Sequence, residues 1–513
     1  MSQRFPGRRL SLVRLTFVIG VTVALAMGGT TGFRTWQDSR QASGSEPWFS
    51  AYVDVTATPT YAFEQPSADH ELNTVLSFIV AAERDTCEAS WGTYYSLDEA
   101  NVALDLERRI ARLRQSGGNI LISLGGEANS NLALACDSAD SLAAQYRDII
   151  DRYDPAALDL DIEGEALTDL ESRQRRVDAI AQIQDGETDP LPIWLTLPVG
   201  PSGLTTDGVE IVREFLEAGV SIAGVNAMTM NYASQEAADD LGQVVISSLE
   251  ATHRQIMAIY ADHGTPLGSQ TAWRRLGATP MIGQNNVTAE VFSLDDAREL
   301  HEFATSVGLG RMSMWSANRD RTCADAYAAI NVMSDSCSSI DQGEETFAEI
   351  LSGGFTGSPS ESRATDDPAD NVRPEDIVDD PETSPYPVWN ATATYPANTR
   401  VVWRKNVYSA EWWNTAIQPD DPALNATDNP WHLIGPVLPG ETPVPILTLP
   451  ADYYPLWDIG TTYTRGDRVM FNDVAYEAQW WTVGDNPAAG QEDPGASPWR
   501  VITQEEIEVL LAE

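Results

Sequence analysis

Lysine is all but missing from this chain: Lys405 is the only one among 513 residues. Arginine supplies the rest of the 32 basic side chains, against 76 acidic ones, for a net charge of −44. Such a surface repels phosphate backbones, which argues against nucleic acid as a partner. Anionic membranes are disfavoured as well, except for the N-terminus, whereas a neutral polymer such as a polysaccharide is compatible. Cysteine is scarce, and the four present, Cys87, Cys136, Cys323 and Cys337, match no zinc-ligand spacing. In an exported chain they read as two disulfides. Chain order favours Cys87–Cys136 and Cys323–Cys337, although four cysteines allow three connectivities. The glycine-rich phosphate turn that many doubly wound sheets carry is absent.

The basic and apolar residues that are present cluster at the start. Arg4, Arg8, Arg9 and Arg14 precede an apolar run from Leu15 to about Met27, which continues more weakly to Phe33. A basic segment followed by an apolar one is the pattern of an export signal, and the whole run approaches the length of a membrane span. A cleaved signal peptide and a retained membrane anchor both fit residues 1–40. Either places the bulk of the chain outside the cytoplasm, secreted or tethered at the cell surface.

From about Trp48 short apolar runs alternate with helical patterns. Strands are expected at 49–55, 75–80, 119–124, 157–163, 193–198, 224–231, 279–283 and 311–315. Helix-like stretches at 97–115, 138–153, 169–184, 207–218, 237–263 and 294–307 separate them. Eight strands alternating with helices predict an α/β fold, a (β/α)8 TIM barrel over 45–345. An open doubly wound sheet is the structural alternative. Residues 353–387, rich in Ser, Pro, Asp, Glu and Thr, read as an extended, self-repelling linker.

An internal repeat follows. Trp389, Tyr395, Arg400, Val401, Tyr408, Ala410, Trp412, Trp413, Pro419, Pro430 and Trp431 recur, each 68 residues on, as Trp457, Tyr463, Arg468, Val469, Tyr476, Ala478, Trp480, Trp481, Pro487, Pro498 and Trp499. Two small β-rich units are expected at 388–435 and 456–503, joined by a Pro-rich linker over 436–455. Strand alternation predicts one core and one exposed tryptophan in each Trp-Trp pair. Exposed rings offer flat apolar faces on which a sugar stacks.

The stretch Leu158-Asp159-Leu160-Asp161-Ile162-Glu163 organises the barrel. In a strand, Asp159, Asp161 and Glu163 line one face and the apolar residues the other. Acids two residues apart on one face lie ~6–7 Å apart at their Cα atoms, so Asp161 and Glu163 interact. Their repulsion holds a proton on one of them near neutral pH. Glycoside hydrolysis needs such a proton donor and a group that stabilises positive charge at the anomeric carbon.

Asp159-x-Asp161-x-Glu163 resembles the acidic signature of glycoside hydrolase family 18, the chitinases and their relatives. Ser123-Leu124-Gly125-Gly126 resembles that family's Ser-x-Gly-Gly segment after the third strand. Met228-Thr229-Met230-Asn231-Tyr232 is similar to its Met-rich sixth-strand segment, and Met314-Trp315 to its eighth-strand tryptophan. The resemblance spans about 48 to 340. It implies a substrate-assisted, retaining chitinase without metal or organic cofactor. Glu163 would be the acid; Asp161 would orient the substrate acetamido group, Tyr232 would hold its oxygen, and Asp159 would tune Asp161. Ser123, Gly125, Gly126, Met228, Met230, Asn231 and Trp315 would bind substrate. The fuller family signature opens Asp-Gly, where this chain has Ala156-Ala157, and Asn231 stands where relatives often have aspartate.

The repeat resembles family 5/12 chitin-binding modules. That resemblance implies binding rings among Tyr408, Trp412, Trp413, Tyr476, Trp480 and Trp481. The second copy keeps Gly466-Asp467-Arg468-Val469 at its turn, and the first has Asn398-Thr399-Arg400-Val401. The combined reading is a monomeric exported chitinase acting on chitin or another N-acetylglucosamine polymer. The alternatives are an endo-β-N-acetylglucosaminidase on glycoproteins and a non-catalytic chitin-binding protein of the cell surface.

Overall fold

The computed structural model describes residues 46–188, 190–324, 332–359, 377–425, 427–443, 447–472, 474–488 and 497–512. The export segment expected at 1–40 lies outside them. Among the described residues no helix is long and apolar enough to cross a membrane. Contacts divide the chain into a barrel unit and a C-terminal unit.

The barrel has eight parallel strands: β1 Trp48–Asp54, β2 Asn73–Ala81, β3 Asn119–Gly125, β4 Ala157–Asp161, β5 Ile193–Gly200, β6 Ile222–Met228, β7 Leu276–Thr279 and β8 Arg311–Met314. Neighbours in sequence pair in order, and β1 pairs with both β2 and β8, which closes the sheet. Helices α1 Leu106–Gln115, α2 Ala139–Tyr153, α3 Leu170–Gln184, α4 Thr206–Glu217, α5 Leu241–Asp262 and α6 Leu294–Val307 follow β2 to β7 in turn. Their starts are written in sequence. Ser138 and Ser293 form capping boxes at α2 and α6, and Asp169 caps α3, each satisfying backbone N–H groups that the first turn leaves unpaired. Every residue of β4 is buried, as expected of a strand with barrel interior on one side and helices on the other.

Cys87–Cys136 ties the segment after β2 to the approach to α2, with Cα atoms 4.4 Å apart. Cys323–Cys337 closes a loop after β8. The barrel unit also continues further than composition predicts. Helix α7, Phe347–Ser352, is followed by a β-bridge between Thr356 and Trp48, and Gly357 N–H donates to the Pro47 carbonyl at 2.8 Å. Residues 353–359 are therefore docked chain, not linker, because Phe355 supplies an apolar anchor that is buried.

In the C-terminal unit, β9 Arg400–Trp403, β10 Asn406–Ala410 and β11 Trp431–Pro436 form one antiparallel sheet. β12 Arg468–Phe471, β13 Val474–Ala478 and β14 Trp499–Val501 form a second. Their registers repeat: Val401 lies opposite Tyr408, and Val469 opposite Tyr476. Asn398 and Gly466 both take the left-handed conformation, φ +67° and +91°, and their N–H groups reach the Ala410 and Ala478 carbonyls. Asparagine visits that region more readily than other side-chain-bearing residues, so the first copy makes the same turn without Gly-Asp. Two boundaries move outward. Asp379 accepts from the backbone N–H groups of Arg404 and Lys405, which joins the end of the expected linker to the first sheet. Leu449, from the expected second linker, packs with Met470, Ile502 and Ile507 of the terminal helix α8, Gln504–Ala512.

Candidate active site

Strand parity delivers the acid ladder. Asp159 and Asp161 point into the barrel from β4, and Glu163 follows just past its C-terminal end. The strand stops at Asp161 rather than Glu163, although Ile162 N–H still reaches the Thr196 carbonyl at 3.0 Å. Position 156 has the opposite parity from the acids, so Ala156 leaves the ladder intact.

Asp159 is fully buried. It accepts hydrogen bonds from Tyr52 Oη (2.8 Å), Ser123 Oγ (2.8 Å), Thr196 Oγ1 (2.7 Å) and Arg311 Nη1 (2.6 Å). Asn226 Nδ2 ties Thr279, Thr196 and Tyr52 into the same network. The Arg311 guanidinium is enclosed by the rings of Trp48, Trp194 and Tyr52, its carbon 5.2–5.6 Å from their centres. A buried carboxylate is tolerated when paired and hydrogen-bonded in this way.

Above it, Asp161 and Glu163 lie close enough to shift each other's protonation. Asp161 Oδ1 is buried without a protein partner among the described residues. Burial raises the Asp161 carboxyl well above its usual range, and the neighbouring charges of Glu163 and Asp159 add to it. Burial, then the charge of Glu127, pushes Glu163 up to about 7. The two acids titrate as a pair, and the pair holds a proton near neutral pH.

This pair opens into a groove of about 760 Å³ at the C-terminal ends of the strands. Met228, Met230, Asn231 and Trp315 line it beside Asp161 and Glu163, as do Glu127, Asp54 and Asp335. Trp315 stacks on Phe78 with ring centres 5.2 Å apart and planes at 24°, giving a flat apolar platform suited to the face of a sugar ring. Asn231 Oδ1 accepts the Val287 N–H at 3.2 Å, which turns its amide nitrogen away from that contact.

Four expected site residues are elsewhere. Tyr232 does not line the groove: its hydroxyl meets Ser248 Oγ on α5 at 2.8 Å. The cause is a turn with Asn231 and Ala233 at φ +54° and +51°. Buried Glu290 fixes it by accepting the Tyr232 and Ala233 N–H groups at 2.9 and 2.7 Å. Ser123 is committed to Asp159 beneath the acids. Gly125 serves packing: a Cβ there would lie 2.0 Å from the Asp161 carbonyl oxygen. Gly126 lies against the Phe78 ring, 3.1 Å from where its Cβ would be. The sequence motifs stopped short of Arg311, Tyr52, Thr196, Phe78 and Glu127. An arginine opening an apolar strand was the one visible signal among these.

The module rings also differ from expectation. Tyr408 and Tyr476 are core, packed with Val401, Ala410 and Trp431 in one copy and Val469, Ala478 and Trp499 in the other. Neither Trp-Trp pair divides into core and surface. Trp412, Trp480 and Trp481 are 42%, 43% and 62% exposed, and Trp413 is half-buried. β10 and β13 end at Ala410 and Ala478, so the pairs sit in the following bend, where alternation no longer applies.

The chain is 33% identical over 305 residues to a probable bifunctional chitinase/lysozyme of Escherichia coli strain K12, covering 56% of this chain and 33% of that protein. It is 32% identical over 309 residues to Endochitinase 11 of Metarhizium anisopliae, covering 57% of each. It thus spans a third to somewhat over half of these curated relatives. The catalytic domain of a hyperthermophilic chitinase from Pyrococcus furiosus superimposes with a TM-score of 0.51 at 25% identity, over 60% of this chain and 95% of that one. Residues 456–500 match carbohydrate-binding module family 5/12. The chain thus carries a barrel similar to the catalytic domain of a chitinase, followed by a segment that matches a family 5/12 carbohydrate-binding module.

Proposed function

We propose that this protein hydrolyses β-1,4 linkages between N-acetylglucosamine units of chitin, by a retaining mechanism in which the substrate's acetamido oxygen is the nucleophile. The observation that carries the reading is the Asp161–Glu163 pair, open to a groove that Trp315 and Phe78 also line. Glu163, protonated up to about pH 7, gives its proton to the glycosidic oxygen as that bond breaks. The acetamido oxygen closes on the anomeric carbon, and Asp161, whose Oδ1 has no hydrogen-bond partner among the described residues, accepts the acetamido N–H. Glu163, now a carboxylate, takes a proton from the water that opens the resulting oxazolinium ring. With Tyr232 turned away, Asn231 is a groove-lining amide available to the acetamido oxygen.

The exposed module tryptophans fit a role in holding the enzyme at a solid polymer, where tethering raises the effective concentration of sites. Export by the N-terminal segment, with or without retention as an anchor, and a monomeric enzyme belong to the same reading. The deciding experiment is turnover of a soluble fluorogenic chitooligosaccharide by wild type and Glu163→Gln. The variant is expected to lose about 10²–10⁴-fold. Retained turnover rejects Glu163 as the acid, and activity on a glycoprotein but not on colloidal chitin rejects chitin as the substrate.

A further inference from the structure

We propose that Glu127 is a positioning residue for the catalytic proton, acting through its negative charge on Glu163 from the adjacent strand. The proposal rests on Glu163 being the acid.

Strand register brings the two residues together. In β3 and β4, Ser123 lies opposite Asp159 and Gly125 opposite Asp161. The chains stay pressed together just beyond the strands, where Gly126 N–H reaches the Asp161 carbonyl at 3.3 Å. Gly125 permits that approach, since any side chain there would strike the same carbonyl. Two residues further, Glu127 and Glu163 leave neighbouring strand ends and line the same groove. Glu127 is exposed, and Asn286 Nδ2 contacts its Oε2 at 3.4 Å from the loops after β7.

The surroundings leave Glu163 with acidic neighbours. Asp161 and Asp159 lie below it on β4, and Asp54 at the end of β1 and Asp335 after β8 line the groove with it. Tyr52 and Arg311 are bound into the Asp159 network. Arg84 pairs with Glu165 at 3.3 Å. Among the described lining residues there is no lysine, arginine or histidine. A negative neighbour favours the neutral form of a carboxylic acid. After burial, Glu127 is the next cause of the high Glu163 value. Glu127 therefore extends to higher pH the range over which the acid keeps its proton.

The test is the pH profile of kcat/KM for wild type, Glu127→Gln and Glu127→Asp on a soluble chitooligosaccharide. Glu127 is exposed, so its replacement leaves the core undisturbed. Glu127→Gln is expected to move the alkaline limb down by roughly half a pH unit to one unit. Well above the limb that is about three- to ten-fold lower kcat/KM, each profile being read relative to its own acidic plateau. Glu127→Asp restores most of the shift, and added salt moves the wild-type limb toward that of Glu127→Gln. Carbon NMR titration of the Glu163 carboxyl in wild type and Glu127→Gln reads the same shift without turnover. Superimposable limbs and NMR titrations in the two proteins, with Glu163→Gln inactive, overturn the proposal. An active Glu163→Gln instead overturns the reading on which it rests.

Discussion

Arg311 and Asp159 meet across the barrel interior, Nη1 to Oδ1 at 2.6 Å, with neither side chain reaching solvent. They come from β8 and β4, on opposite sides of the closed sheet. The pair thus cross-braces the barrel directly beneath Asp161 and Glu163, and it holds Asp159 at a fixed height under Asp161. Three polar side chains from three further strands, Tyr52, Ser123 and Thr196, complete the brace.

Breaking that pair from one side leaves a buried charge without a partner. Arg311→Met is expected to destabilise the protein by about 3–5 kcal/mol. Arg311→Met with Asp159→Asn, which removes both charges, recovers most of the loss. Denaturant unfolding of the two variants checks this. Equal instability of the single and double variants would show that packing, not charge, sets the cost.

The raised Glu163 value makes opposite demands on activity and stability. In the proposed reaction Glu163 gives up a proton, so kcat/KM is expected to fall as pH rises through about 7. Its folded value lies above the ordinary carboxyl value of 4.5, so the folded state binds the proton more tightly than the unfolded state. Stability from that proton is fully present below 4.5 and is lost as pH rises toward 7. Glu163→Gln, which never ionises, should melt higher than wild type at pH 8 and at the same temperature at pH 4.

Tyr232→Phe separates the observed site from the expected one. The hydroxyl bonds Ser248 outside the groove, so kcat and KM are expected to stay at wild-type values. Stability should fall by about 1 kcal/mol for the lost hydrogen bond. A large fall in kcat would place the tyrosine in the reaction after all.

The second C-terminal sheet, within the segment that matches a carbohydrate-binding module, offers a similar contrast between surface and core. Trp480→Ala with Trp481→Ala should weaken retention on chitin by about 2 kcal/mol, or roughly 30-fold, while the melting of the second sheet is unchanged. Tyr476→Ala, at 2% exposure, should destabilise that sheet by about 3–5 kcal/mol, the range for large buried aromatics. Pull-down on colloidal chitin alongside thermal unfolding distinguishes the two classes.

Much of this protein is legible locally. The period-two pattern of Leu158 to Glu163 puts three acids on one side of a strand whatever the barrel does around it. Alternating strands and helices predict a parallel sheet covered by helices, whose closure only the pairing of β1 with β8 decides, and the repeat at 68 residues specifies two copies of one small fold. Parity along a strand and the conformational freedom of Asn398 and Gly466 are properties of a few consecutive residues. What those local rules miss is set by contacts between residues far apart in sequence. Arg311 finds Asp159 across 152 positions. Tyr232 follows a strand that promised an inward side chain, but Glu290 holds a left-handed turn that swings it out. Tyr408 and Tyr476 carry rings that suit a binding face, yet they pack inward against Trp431 and Trp499 of the third strand of each sheet. A side chain's direction can be read from its neighbours in the chain. Its partner, and whether water reaches it, was decided only when distant strands closed around it.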